Sequence, residues 1–138
     1  MKNLILHVDF HVNISSSVTD FGLSIALSDQ NQLFVGTSVG SIFVYSLSVD
    51  QSTATLIQTI SDNPSSSDLS LAADSGWLII GNSTYDGGKV HIWKLDLISG
   101  QYQFDSTISN PDLSRSEFGI SVDIAEDSLI VGALKAGI

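Results

Sequence analysis

The chain has 138 residues, 43% of them hydrophobic and 14% charged, so it can build a packed core and global disorder is not expected. Its net charge of −10 repels phosphate backbones and anionic lipid surfaces, which argues against nucleic acid and membrane partners. It has no cysteine, so disulfides and cysteine–zinc sites are excluded, and no run approaches the ~18 apolar residues of a membrane span.

The first predicted element is an alternating strand over residues 1–14, with apolar side chains on one face. His7, Asp9 and His11 share the other face, a pattern that could hold a metal. Three ligands along one strand spread over ~13 Å at ~3.3 Å per residue, which favours a solvated polar face instead. His7 and Asp9 also interrupt the apolar run too early for a signal peptide.

A repeat with a period near 48 residues follows. Three similar stretches align through glycines that lie 45 and 51 residues apart, and a second series of apolar residues has a constant spacing of 48. Each unit holds four strand-like runs, a pattern typical of propeller blades. The aligned positions are Gly36, Gly81 and Gly132 in the first series and Val12, Ile60 and Ile108 in the second.

Within a unit, each run has its own pattern. The first alternates apolar with small residues, and the second is continuously apolar ("LFVG", "LIIG", "LIVG"), as in strands buried on both faces. The third is apolar on both faces ("SIFVYSL", "KVHIWKL"). The fourth alternates cleanly, which predicts an outer strand with Tyr102, Phe104 and Ile108 on one face and a wet opposite face.

The sequence therefore predicts an all-β fold, a partial β-propeller in a single segment over residues 1–138. Two whole four-stranded blades span residues 18–62 and 67–109. Partial blades flank them: residues 1–14 as the outer strand of a preceding blade, and residues 118–138 as the start of a further one.

Four stretches carry a family resemblance: "FGLS" at 21–24, "FVGTSVGSIFVY" at 34–45, "IIGNSTYDGGKVHIW" at 79–93 and "FGISVDIAEDSLIVGA" at 118–133. They resemble FG-GAP repeats, as in integrin alpha-subunit propellers and many microbial surface proteins, over roughly residues 15–138. The middle unit has Ser67-Asp68 in place of Phe-Gly. The resemblance implies a run of propeller blades used for adhesion or partner binding, extracellular or at the cell surface.

Integrin-type repeats often carry a calcium loop between their first two strands. Here the corresponding turns are "SDQNQL", "ADSGWL" and "AEDSL", each short and with one or two carboxylates. Calcium needs more oxygen ligands than these turns offer, so they predict tight hairpin turns. We expect no bound metal and no cofactor.

Residues 36–40, "GTSVG", match the G-x-S-x-G pattern of a hydrolase nucleophile elbow around Ser38. An elbow needs a strand-to-helix turn, whereas strand-like runs flank this motif on both sides. The equivalent segments "GNSTYDGG" and "GALKAG" do not keep the pattern. The motif therefore predicts a turn, and we expect no catalytic residue.

The loop "NSTYDGGK" at 82–89 is the longest between the second and third strands of a unit. Its Tyr85, Asp86 and Lys89 are candidate partner contacts, because loops on a rigid scaffold often carry function, and a plain turn is the alternative. Trp77 and Trp93 could stack on a sugar, although their strand positions favour core packing.

The function that fits these features is a non-catalytic module for binding or adhesion, with a protein or carbohydrate ligand. A purely structural repeat segment is one alternative. Part of a propeller enzyme with its active site outside this chain is another, although Asp123 is the only acidic residue on the predicted axial faces. Bare apolar blade faces at both ends predict a piece of a longer protein or a protomer of a closed ring.

Overall fold

In a computed structural model, the described residues form ten β-strands that build three antiparallel sheets. The described part contains no helix, and so none that could cross a membrane. The all-β prediction is confirmed. The predicted N-terminal strand, with His7, Asp9 and His11, lies outside the described residues, which are 18, 20–50, 52–61, 68–84, 87–112 and 117–134.

The first sheet contains four strands that pair in chain order. They are β1 (Ser24–Leu27), β2 (Gln32–Gly36), β3 (Ser41–Leu47) and β4 (Ala54–Ser61). Such a meander of antiparallel neighbours needs only short connections, which the turn-forming residues between the strands supply.

The second sheet repeats this order with β5 (Leu69–Asp74), β6 (Trp77–Asn82), β7 (Lys89–Asp96) and β8 (Gln101–Ser109). The third is a hairpin of β9 (Ser121–Ala125) and β10 (Ser128–Gly132). The first strands of successive sheets lie against one another, because β1 contacts β5 and β5 contacts β9.

The turns between the first two strands of each sheet are tight hairpins, as predicted. Residues in the left-handed region of backbone conformation reverse the chain there: Asn31 in the first turn, Ser75 and Gly76 in the second, and Glu126 in the third. These turns leave no room for a loop that wraps around an ion.

The same serine–glycine pair recurs at the same place in all three sheets. In each, a serine of the first strand lies directly opposite a glycine of the second strand, so a shallow notch opens on one face of the sheet. We call these glycines the notch glycines. The pairs are Ser24 with Gly36, Ser70 with Gly81, and Ser121 with Gly132.

The following sheet fills the first two notches. A Cβ on Gly36 would collide with the side chain of Leu69, and a Cβ on Gly81 would collide with the carbonyl oxygen of Gly119. The serines add hydrogen bonds across the same contacts. Leu71 N donates to Ser24 Oγ (3.1 Å), and Ser70 Oγ donates to the carbonyl of Gly119 (2.8 Å).

Two hydrophobic clusters hold the sheets together. The larger lies between the first and second sheets, and its fully buried members include Phe34, Ile42, Val44 and Leu78. The smaller lies between the second and third sheets around Ala72, Ile79 and Val90. Burial of this kind contributes roughly 25 cal/mol per Å² of apolar surface, which makes the packing between sheets the main stabilising term.

A β-bulge changes the predicted fourth strand. The register of β7 and β8 shifts between Ile92 and Trp93, so Ile108 pairs with Val90 while Phe104 pairs with Trp93. Paired residues share a face, so Ile108 lies on the face opposite Phe104. The prediction of one apolar face in this strand is therefore wrong, because one extra residue reverses the alternation.

The close contact at the notch glycines predicts how much stability is lost when a methyl group is added to one of them. Gly81→Ala should destabilise the chain by about 1–3 kcal/mol, because the added Cβ meets the backbone of Gly119, which cannot rotate away. The equivalent Gly132→Ala meets mainly the Ser121 hydroxyl and should change stability by less than about 1 kcal/mol.

Urea unfolding followed by circular dichroism measures both variants against the unmodified chain. At protein concentrations where the chain is a monomer, equal losses of stability at Gly81 and Gly132 would contradict the claim that the following sheet fills the notch.

Candidate functional site

Ser38 lies in the turn between β2 and β3, two antiparallel strands, so the prediction of a hairpin turn is confirmed. The buried Thr37 organises this turn: its Oγ1 donates to the carbonyl of Ser41 (3.1 Å) and accepts from the Ser41 amide (3.2 Å). Gly40, with a φ of 77°, closes it with a hydrogen bond to the Thr37 carbonyl. The helix that a nucleophile elbow needs is absent from this part of the chain.

Of the three predicted contact residues, only Lys89 is among the described residues, and Tyr85 and Asp86 lie outside them. Lys89 begins β7, is partly buried, and its carbonyl oxygen would lie 2.8 Å from a Cβ on Gly119. Its backbone therefore belongs to the contact between the second and third sheets. A partner-binding role for Tyr85, Asp86 and Lys89 stays a prediction.

Both tryptophans pack against the hydrophobic clusters, as their strand positions indicate. Trp93 is packed against the larger cluster, and its ring meets the ring of Phe104 edge-on with centroids 5.7 Å apart. Trp77 is packed against the smaller cluster, and the Lys94 ammonium lies 4.8 Å from the centroid of its ring. That cation covers one face of the indole.

An acidic residue at the hairpin between the first two strands of a sheet accepts a hydrogen bond from a backbone amide of the next sheet. Asp29 Oδ1 accepts from the Ser75 amide (3.1 Å), and Asp74 Oδ2 accepts from the Glu126 amide (2.6 Å). Each carboxylate thus ties one sheet to the turn of the following sheet. Within the described ranges, no three His, Asp or Glu side chains come together closely enough to hold a metal ion.

The contact between the first two sheets is built around Tyr102, which is 1% exposed. Its ring meets Phe34 edge-on at 5.3 Å, and its hydroxyl donates to Gln32 Oε1 (2.8 Å). Gln58 Nε2 donates to the Tyr102 carbonyl and Gln58 Oε1 accepts from the Tyr102 amide, both at 2.8 Å. The Gln58 side chain thus takes the hydrogen bonds that a further strand would make to Tyr102 at the edge of β8. Burial, aided by the nearby charge of Asp29, raises the pKa of Tyr102 to about 12.

An open cleft of about 190 Å³ lies between the second and third sheets. Its floor is apolar, with Ile79 and Ile92 on one side and Leu129 on the other. Two exposed carboxylates, Asp105 and Asp127, also line it. No sequence pattern predicts this cleft, because Asp105 is placed there by the bulge in β8.

The two ends of the stack of sheets present different surfaces. The leading face, on the first sheet, exposes three apolar side chains: Leu23 (40% exposed), Ile25 (65%) and Leu27 (58%). The trailing face, on the third sheet, consists of the notch residues Ser121 and Gly132, which share that face with Asp123 and Ile130. Ile130 is 70% exposed.

Comparison with protein-family models, with curated proteins and with solved structures found no match to this chain.

The turn around Ser38 yields a matched pair of substitutions. Thr37→Val removes both hydrogen bonds to Ser41 inside a buried turn and should cost about 1–3 kcal/mol of stability. Ser38→Ala should stay within about 0.5 kcal/mol, since no described contact depends on its hydroxyl. Thermal unfolding of both variants measures this, and a larger loss for Ser38→Ala than for Thr37→Val would contradict it.

The raised pKa of Tyr102 predicts that the folded chain loses stability at high pH. The folded chain keeps the phenol proton up to a pKa of about 12, whereas the unfolded chain loses it near the ordinary value of 10.0. The unfolded state therefore binds fewer protons in this window, so the free energy of unfolding is unaffected below pH 10 and falls between pH 10 and about 12.

Urea unfolding across this window, with ultraviolet absorbance reporting tyrosinate, measures the slope. Tyr102→Phe should reduce it, while costing about 1–3 kcal/mol at neutral pH because Gln32 loses its hydroxyl donor. Burial also raises the pKa of Tyr45, so part of the slope should persist in the variant. An unchanged slope would contradict the assignment to Tyr102.

Proposed function

We propose that the chain is a non-catalytic, FG-GAP-type propeller module that acts by binding, and that copies of it join head to tail into a larger assembly. The leading face of one copy packs on the trailing face of the next. A protein or carbohydrate at or outside the cell surface is the partner class that the family resemblance favours for the assembly.

The observation that carries the proposal is a contact that the described residues make twice, and whose two halves recur singly on the first and third sheets. In the first internal contact, the Leu69 side chain of β5 fills the notch at Gly36, and in the second the backbone of Gly119, just before β9, fills the notch at Gly81. In the second contact, Phe118 and Gly119 fit against Gly81 and Gly88, and a Cβ on either of those two glycines would collide with them. Neither glycine could be replaced by a larger residue without separating the sheets.

Among the described residues, the same turn recurs before β1 of the first sheet, and the same notch recurs on the third sheet. The turn over Phe21 and Gly22 is built like that over Phe118 and Gly119, with a hydrogen bond between residues three apart. Of the described residues, none lies within 4 Å of a Cβ on Gly22. A Cβ on Gly132 would meet only Ser121, a residue of its own sheet.

These ends are complementary because each repeats one half of a contact that already exists in the molecule. The trailing face carries a notch like those that Leu69 and Gly119 fill, and the leading face carries the apolar strand that would enter it. A heterologous contact of this kind builds a ring when its rotation closes. Association would remove the exposed apolar side chains of the leading face from water.

The native mass in solution tests this proposal. The unmodified chain should form a discrete oligomer in light scattering on a sizing column over a range of concentrations. Ile25→Asp and Leu27→Asp should each weaken association by at least about tenfold, because each would bury an unpaired carboxylate in an apolar contact. Both side chains are more than half exposed, so the variants should fold.

Ile98→Asp is the matched control, since Ile98 is 98% exposed in the turn after β7 and lies away from both end faces. It should leave the native mass unchanged. A chain that is monomeric at all concentrations, or an oligomer indifferent to the change at Ile25, would overturn the head-to-tail arrangement.

A further inference from the structure

We draw no further inference here: the strongest candidate, the surface patch at the turns after β3 and β7 where the side chains of Val49, Leu97 and Ile98 are exposed, carries no proposal because nothing in the structure shows what covers it.

Discussion

The close approach of one sheet to the next at the notch glycines is the constraint on which the rest of the molecule depends. Gly36 admits the side chain of Leu69, and Gly81 admits the backbone of Gly119 itself. A methyl group at Gly81 would force the second and third sheets apart, whereas one at Gly36 would displace the end of the Leu69 side chain. The facing serines contribute by donating or accepting a hydrogen bond across the same gap, so that close contact does not leave buried polar groups unpaired.

Several polar side chains form hydrogen bonds that hold turns and neighbouring sheets together. The carboxylates of Asp29 and Asp74, at the hairpins between the first two strands of a sheet, accept amide hydrogen bonds from the following sheet. The hydroxyl of Thr37, beside the serine of the G-x-S-x-G motif, forms two hydrogen bonds within its own turn. These polar side chains therefore join strands and sheets.

The two contacts between sheets share one geometry but differ in what fills them. A buried tyrosine closes the first, held by Gln32 and Gln58, whereas the second keeps an open cleft with Asp105 and Asp127 at its mouth. Tyr102 belongs to β8, the fourth strand of the second sheet, whereas the described part of the third sheet consists of β9 and β10. The two contacts therefore differ in the strands that build them as well as in their side chains.

The sequence by itself determined the all-β fold, the strands of the first two sheets and the tight turns, because alternation and glycine spacing are local signals. It did not determine the bulge that moves Ile108 to the opposite face and leaves Asp105 unpaired, since a bulge depends on pairing between strands. Nor did it indicate the contact of Tyr102 with Gln32, 70 residues away in the chain. Only the tertiary structure decides such contacts, because they form when separate sheets stack and the free energy of burial selects which side chains meet.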